Sequence, residues 1–265
     1  MRELSPVTCE RIERVVLLQL NKPKQDNTLS APVLDCLMSH LKVLATDPTV
    51  RSVVLTGAGC NFSLGGDFNE FSEALSQDEQ FGRLYCASRT SLLASVIAFI
   101  HEFPWPIIAA VNGQAAGAGF SLALACDLRL AEERTRFHFA YGALGASTDG
   151  GMSWLLPRVL GMGRAMALLL EQPVIRATRA LADGLVSEVV PAGELINRAL
   201  ATASLFASNA SHVNRAGKRL LRTSQFKTLR EHMQEEHLAF ADGLMSADMR
   251  RALLARQRGE VPMFD

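Results

Sequence analysis

The chain has 265 residues, and its 27 lysine and arginine residues balance 27 aspartate and glutamate residues, so charge gives no reason to expect nucleic-acid or acidic-membrane binding. Its five cysteines are scattered without a C-x-x-C pair, which predicts small apolar side chains in a reducing compartment rather than disulfides or metal ligands. Residues 1–6 lack the apolar region of a signal peptide, and the sequence offers no apolar window of about 20 residues, so we expect a soluble cytoplasmic protein.

The amino-terminal part alternates strand and helix. Residues 14–20 form a predicted strand, and after a polar loop Ser30 and Pro32 mark the start of a helix that runs to Leu44. Residues 50–57 are apolar at their centre and end in glycine, which predicts a second strand. This order, in a chain of this length, indicates one large α/β domain or such a domain with an appendage.

A Gly-Gly-Asp turn at residues 65–67 follows the second strand. Residues 73–79 are polar, and we expect them to be mobile, whereas residues 81–103 return to a helical spacing of apolar side chains. The turn is therefore the first of two glycine-rich loops that lie between the end of a strand and a helix.

The second such loop lies between residues 106 and 127 and organises the chain. A short β-branched run leads into a turn with Gly113, Gly117 and Gly119, and an apolar helix follows. The first N–H groups of a helix have no intrahelical partner, so this loop can bind an anion or a carbonyl oxygen that is becoming one. The spacing matches neither G-x-G-x-x-G nor a Walker loop. From this cluster alone, a tightly packed turn remains an alternative.

The rest of the chain passes from mixed structure to helices. Strands are predicted at 127–131, 136–139 and 186–191, helices at 152–160, 163–170 and 178–184, and a third glycine-rich loop at 142–151. Residues 194–258 are helical in pattern, so we place a boundary near residue 200, with a core at 1–200 and a helical region at 201–265. The helical region has more apolar side chains than its helices could bury, which predicts packing on a partner subunit; these are Leu205, Phe206, Leu220, Leu221, Leu229, Met233, Leu238 and Phe240.

Four motifs, in this order, resemble the crotonase superfamily, the enoyl-CoA hydratases and isomerases. They are the Asn-Lys-Pro loop at 21–23, the turn at 62–67, the loop and helix at 112–127, and the segment 149–161. The resemblance covers nearly the whole chain. It implies an α/β fold with a core of repeated β-β-α turns and a carboxyl-terminal helical trimerisation region. It further implies a homotrimer or a dimer of trimers, a coenzyme A thioester as substrate, and no cofactor.

The resemblance also implies an oxyanion hole, in which two main-chain N–H groups stabilise an enolate oxygen. Matched residue by residue, these donors fall on Gly66 and Ala118. The departures from the family, Leu64 for alanine and Ala118 for glycine, leave the N–H groups in place. The two glutamates of the hydratases fall on Ser121 and Tyr141, and because neither is a carboxylate, hydration by two glutamates is not expected.

Asp149 is the one carboxylate that the resemblance places beside the thioester. Residues 147–158 resemble the Pro-Asp-Gly-Gly stretch of phenylacetate-pathway crotonases, which isomerise an unsaturated or epoxide-bearing acyl-CoA. Dehalogenating relatives have an aspartate in this loop too, but their upstream histidine and tryptophan fall on Ala94 and Tyr141, which argues against dehalogenation. Asp-Gly is also a common turn pair, so Asp149 could instead cap the following helix.

The contacts with coenzyme A are assigned from the same resemblance. They fall on Lys24, Phe62, Leu64 and Asp67, although a solvated loop lysine accounts for Lys24 equally well. We expect no metal site, because the five-residue spacing of His232 and His237 places their side chains ~140° apart around a helix.

Two hypotheses follow. The first is an acyl-CoA isomerase in which Gly66 and Ala118 form the oxyanion hole and Asp149 shuttles a proton, with hydration by a non-standard base as its nearest alternative. The second is a catalytically silent homologue that binds acyl-CoA or a partner. The acyl group is not predicted, because residues 71–103 are the least patterned part of the core.

Overall fold

The computed structural model describes residues 5–264 as a mixed α/β fold. Residues 1–4, on which part of the expectation of no signal peptide rests, lie outside the described residues. The main sheet has six strands: β1 Val7–Ile12, β2 Val15–Leu20, β3 Ser52–Gly57, β4 Ile107–Val111, β6 Leu128–Glu132 and β9 Glu188–Val190. A smaller sheet contains β5 Gln114–Ala116, β7 Arg136–His138 and β8 Ile175–Arg176.

The main sheet is largely parallel. Strand β1 pairs antiparallel with β2, and the remaining pairs, in the order β2-β3-β4-β6-β9, are parallel. Every residue of β3 and β4 is buried. This continuous burial explains the unbroken apolar runs in their sequences, since a parallel sheet is covered by helices on both faces.

The described residues contain eleven α-helices, some of which cover both faces of the main sheet. In chain order they are α1 Ala31–Thr46, α2 Phe68–Gln77, α3 Glu79–Glu102, α4 Ala118–Ala125, α5 Met152–Leu160, α6 Met162–Glu171, α7 Ala177–Ala182, α8 Leu195–Ala207, α9 Ser211–Thr223, α10 Leu229–Leu244 and α11 Ala247–Arg258. Short 3₁₀ turns lie at Pro23–Gln25, Gly142–Leu144 and Ser224–Phe226. The larger core cluster joins α1, α3, α4 and α5 to the sheet, and a second cluster joins α8 to its other face.

Two details of the fold differ from what the sequence predicts. Residues 73–79, expected to be a mobile polar stretch, belong to the end of α2 and the start of α3. Two aspartates that cap these helices explain the difference. The Asp67 carboxylate accepts the N–H of Asn69 at the start of α2, and the Asp78 carboxylate accepts the N–H of Phe81 at the start of α3. Strands β1, β5 and β8 were not predicted.

Helix α3 is long and apolar enough, by length and composition, to cross a membrane, so the expectation that no window meets this criterion is wrong. One such helix is weak evidence, because core helices pass the same test. Its buried side chains, which include Leu93, Val96, Ile97 and Ile100, belong to the main core cluster.

The predicted boundary at residue 200 falls within α8. This helix is built into the core: Leu195, Ala199, Ala203 and Ala207 are buried against strands of the main sheet. Helices α9, α10 and α11 follow it. Their exposed apolar side chains include Leu221, Leu229, Met233, Leu238 and Phe240. The assignment of this region to subunit contacts stays a prediction.

Candidate active site

Two loops meet at the carboxyl ends of β3 and β4. Ser63 forms a parallel bridge with Ala115 of β5, and the N–H of Ala116 donates to the Ser63 carbonyl oxygen at 2.9 Å. The loops are so close that a β-carbon added to Gly65 would lie 3.1 Å from the nitrogen of Ala118. This pairing fixes the Gly-Gly-Asp turn against the start of helix α4.

The orientation of the Gly66 N–H follows from the peptide that contains it. The carbonyl oxygen of Gly65 accepts a hydrogen bond from the N–H of Leu29 at 2.7 Å. In a trans peptide the C=O and the next N–H point in opposite directions, so the N–H of Gly66 points away from Leu29. Gly65 has φ 88°, a conformation that favours glycine.

The Ala118 N–H is oriented in the same way. Gly117 has φ 49° and ψ −120°, and its carbonyl oxygen accepts the N–H of Ser121 at 3.0 Å, which turns the N–H of Ala118 out of the helix. Ala118 is the first residue of α4, so its N–H has no hydrogen-bond partner within the helix. Within residues 5–264, neither this N–H nor that of Gly66 donates to a protein group, and both residues line one cavity of about 950 Å³.

Tyr141 and Asp149 lie in the wall of the same cavity, and Ser121 is in hydrogen-bond contact with Asp149. The Tyr141 hydroxyl donates to Asp149 Oδ1 at 2.8 Å, and the Ser121 hydroxyl donates to the Asp149 carbonyl oxygen at 3.1 Å. Ser121 is fully buried, Tyr141 is buried and Asp149 is half-buried. Ser121 and Tyr141, at the positions where the hydratases have glutamates, are therefore hydrogen-bonded to Asp149, the predicted carboxylate.

Burial sets the protonation of this group. It raises the pKa of Asp149 above the ordinary aspartate value, and the hydrogen bond from Tyr141 opposes that shift. Burial also raises the pKa of Tyr141 far above its ordinary value, with a further rise from the neighbouring Asp149 charge. Tyr141 thus remains a hydrogen-bond donor, and Asp149 is the carboxylic acid of this group.

Asp149 does not cap helix α5 with its side chain. The residue at the N-cap is Gly151, and the contact from Asp149 to the helix is its carbonyl oxygen, which accepts the N–H of Met152 at 3.1 Å. Gly150 and Gly151 both have positive φ, at 54° and 75°, and a β-carbon on Gly150 would lie 2.9 Å from that of Ser121. The two glycines let the chain turn tightly, which leaves the carboxylate at the cavity wall.

The predicted coenzyme A residues occupy different surroundings. Leu64 lines the cavity, and Lys24 is exposed in a 3₁₀ turn. The side chain of Phe62 is fully buried in the core, so it cannot contact a ligand. The Asp67 carboxylate caps helix α2 by accepting the N–H of Asn69 at 3.0 Å.

A second polar group, which the sequence motifs did not indicate, lies near the site. Glu70 and Arg89 border a small adjoining cavity of about 20 Å³, together with Gly66, Ala118 and Asp149. The Tyr85 hydroxyl donates to Glu70 Oε2 at 2.7 Å, and the Arg89 guanidinium carbon lies 5.4 Å from the centre of the Tyr85 ring. The amphipathic pattern of α2 is the signal that could have placed Glu70 on this side. No cluster of three or more potential metal ligands occurs within residues 5–264.

Comparison with known proteins identifies relatives along almost the whole chain. The family model described as enoyl-CoA hydratase/isomerase matches residues 10–260. The chain is 32% identical to 2,3-dehydroadipyl-CoA hydratase of Escherichia coli K12, over 98% of this chain and 99% of that protein. It is also 32% identical to short-chain-enoyl-CoA hydratase of Clostridium acetobutylicum, over 96% of this chain and 95% of that protein.

Solved structures show the same fold. An enoyl-CoA hydratase from Bacillus anthracis superposes with a TM-score of 0.90 at 30% identity, covering 98% of each chain. An enoyl-CoA hydratase/isomerase from Mycobacterium abscessus, titled putative, superposes with a TM-score of 0.91 at 30% identity, covering 98% of this chain and 99% of that one. The narrower resemblance to phenylacetate-pathway isomerases stays a prediction.

Proposed function

Because the chain belongs to the enoyl-CoA hydratase/isomerase family of the crotonase superfamily, we propose that it moves a double bond within the acyl group of a coenzyme A thioester. The observation that supports this reaction is the position of Asp149. Among the described residues, it is the one carboxylate in the wall of the 950 Å³ cavity that Gly66 and Ala118 also line. The family match gives the enzyme class, and this arrangement favours isomerisation within it.

The proposed reaction has two proton transfers. The thioester oxygen accepts the N–H groups of Gly66 and Ala118, and the Asp149 carboxylate removes a proton from the α-carbon of a 3-enoyl thioester. The electrons of that C–H bond form a dienolate, whose oxygen charge the two N–H groups stabilise. Protonated Asp149 then returns the proton to the γ-carbon, so the double bond moves from C3–C4 to C2–C3 without an external oxidant or reductant.

The surroundings of Asp149 suit a proton shuttle. A base whose pKa is raised toward the working pH both accepts and returns a proton more readily than an ordinary aspartate does. Burial supplies this rise in pKa, and the Tyr141 hydroxyl limits it and holds one carboxylate oxygen in place. The other oxygen, Oδ2, accepts no hydrogen bond from the described residues.

Hydration of a 2-enoyl thioester is the second candidate. It is favoured by the names of the relatives, two of which are hydratases that match along nearly their whole length. In that reaction a water would be activated by Asp149, because Ser121 and Tyr141 are poor bases near neutral pH. The same oxyanion donors would serve both reactions.

Asp149→Asn is the substitution that tests the assignment, because it keeps the shape of the side chain and removes its basicity. Conversion of 3-enoyl-CoA to 2-enoyl-CoA should fall by about 10²-fold or more, with binding of the thioester retained. Asp78→Asn is a matched control, because asparagine caps a helix as well as aspartate and Asp78 lies at the start of α3. Rates and dissociation constants are measured on both variants and the unaltered protein.

The outcomes separate the candidates. Rapid hydration with little isomerisation by the unaltered enzyme would replace the first proposal by the second. A full isomerisation rate in Asp149→Asn would remove Asp149 from the mechanism. Binding of thioesters without either reaction would indicate a catalytically silent homologue.

A further inference from the structure

Two helices, α2 and α3, line the 950 Å³ cavity. Each contributes a stripe with the i, i+3, i+4, i+7 spacing of one helical face. The stripe of α2 is mostly large and apolar, and consists of Phe68, Phe71, Ser72 and Leu75. The stripe of α3 is small, and consists of Ala87, Thr90, Ser91 and Ala94, with Cys86 beside it.

The small wall leaves room beside the oxyanion donors. No side chain of the α3 stripe is larger than threonine, so this wall takes up little of the cavity. The resulting volume lies near the upper end of the roughly 300–1,000 Å³ found for small-molecule sites. A four-carbon acyl group would leave much of this space unoccupied.

Large apolar side chains border that space with much of their surface exposed. Phe68 is 51% exposed, Leu75 is 64% exposed, and Leu144, which also lines the cavity, is 50% exposed. Exposed apolar side chains gathered around a cavity mark a surface that a ligand covers. Their continuity with Gly66 and Ala118 makes the acyl part of the thioester the occupant that fits.

The charges of the residues around the cavity further restrict which acyl groups it can bind. Among the described residues that line this cavity, Asp149 is the one with a formal charge, and none is lysine, arginine or histidine. Arg89 borders the smaller adjoining cavity, where its guanidinium lies over Tyr85. A second carboxylate on an acyl group held against this lining would therefore meet the like charge of Asp149.

We infer that this enzyme acts on thioesters whose acyl group is bulky, apolar and uncharged, and that the small α3 stripe, above all Ala94, sets this preference. The inference rests on the proposed function, since it takes the thioester carbonyl to lie at Gly66 and Ala118. It also predicts a difference from the E. coli relative, whose name specifies a dehydroadipyl thioester with a distal carboxylate.

The test compares four saturated thioesters that need only enolate formation: butyryl-, octanoyl-, 3-phenylpropanoyl- and adipyl-CoA. Exchange of the α-proton with deuterated solvent is followed for each, which does not depend on whether the enzyme isomerises or hydrates. Octanoyl- and phenylpropanoyl-CoA should exchange at least about 10-fold more efficiently, in kcat/KM, than butyryl- and adipyl-CoA.

Ala94→Phe should abolish the preference by filling the space. Exchange of octanoyl- and phenylpropanoyl-CoA should fall about 10-fold or more, with butyryl-CoA changed less than about 2-fold. Ala98→Phe is the matched control, because Ala98 lies one turn further along α3, is exposed and does not line the cavity. It should leave all four rates unchanged.

The outcomes distinguish this inference from the function on which it rests. Equal exchange of butyryl-CoA and the larger thioesters, efficient exchange of adipyl-CoA, or an equal effect of Ala94→Phe on all four would overturn the inference and leave the proposed function standing. Failure to exchange the α-proton of any thioester that binds would overturn the proposed function itself.

Discussion

Burial raises the pKa of Asp149, and the Tyr141 hydroxyl opposes that rise. This hydroxyl donates to the carboxylate, which stabilises the charged form and lowers the pKa that burial has raised. Tyr141→Phe removes this donor, so the pKa of Asp149 should rise further. Because the ionised carboxylate is the proposed base, the acidic limb of the pH profile of kcat/KM should move to higher pH.

The chain has a second tyrosine that serves as the control. The Tyr85 hydroxyl also donates to a carboxylate, Glu70 Oε2 at 2.7 Å, but neither residue lines the large cavity. Tyr85→Phe should therefore leave the limb in place. An unchanged limb in Tyr141→Phe, or an equal shift in both variants, would contradict the assigned role of Asp149.

Ala118 allows the removal of one oxyanion donor with little other change. It is the first residue of α4, a position at which proline is favoured because its missing N–H has no intrahelical partner. Ala118→Pro should keep the fold and lower kcat by about 10²–10³-fold, the usual effect of losing one such donor. Ala247→Pro, at the first residue of α11, is the matched control and should keep full activity. A folded Ala118→Pro enzyme with a normal kcat would show that this N–H is not used.

Residues of the site differ in how far the sequence predicts them. Gly66 and Ala118 follow from motifs, because the backbone geometry of a tight glycine turn is local. The contact between Tyr141 and Asp149 does not, because it forms only when the loop at 142–151 folds back over Ser121. Phe62 was assigned to coenzyme A binding, and its side chain lies in the core. A motif shows that a residue is needed but not which way its side chain points.

At the level of elements, burial on both faces made strands predictable. Strands β3 and β4 have continuous apolar sequences because they lie inside a parallel sheet. Strand β1 is an edge strand with one fully buried residue, Val7, so its sequence shows no clear pattern. Strands β5 and β8 have three and two residues, too few for any periodicity to appear.

Helix α9 is attached to the core by an ion cluster. Asp127 Oδ2 lies 2.6 Å from Lys218 Nζ, and Oδ1 lies 2.7 Å from an Arg222 nitrogen. The two cations are only 10% and 18% exposed, and burial lowers the pKa of Lys218 to about 8. Asp127→Asn leaves both without an anion, so the free energy of unfolding should fall by about 3–5 kcal/mol.

A second aspartate with two cations provides the comparison. Asp183 pairs with Arg164 and Arg179, whose side chains are 41% and 50% exposed. Since solvent can rehydrate these arginines, Asp183→Asn should lower the free energy of unfolding by only about 1 kcal/mol or less. Urea denaturation measures both variants. Similar losses would mean that burial of the cations does not determine the strength of the attachment of α9.

At the scale of the whole molecule, large exposed apolar side chains occur on the carboxyl-terminal helices. The exposed side chains of α9, α10 and their connection reach 76% exposure at Leu221 and Leu229, and 65% at Phe240. They lie on the region after residue 207, which packs on the core through few large side chains, as the absence of buried residues in the described part of α9 shows. Exposed apolar surface of this kind favours a partner, and a closed symmetric assembly of the chain itself would cover it without leaving edges. The resemblance to the crotonase superfamily implies three or six subunits.

We therefore predict a trimer or a dimer of trimers, with a mass in light scattering of three or six times the 28.8 kDa of one chain. Leu238 is 63% exposed on α10, and Leu238→Asp should break the assembly, because an ionised side chain would be buried without a partner. Val43→Asp changes a similarly exposed side chain, 67%, on α1 of the core and should leave the mass unchanged. A stable monomer of the unaltered chain would overturn the prediction. Equal dissociation by both substitutions would place the subunit contact outside the carboxyl-terminal helices.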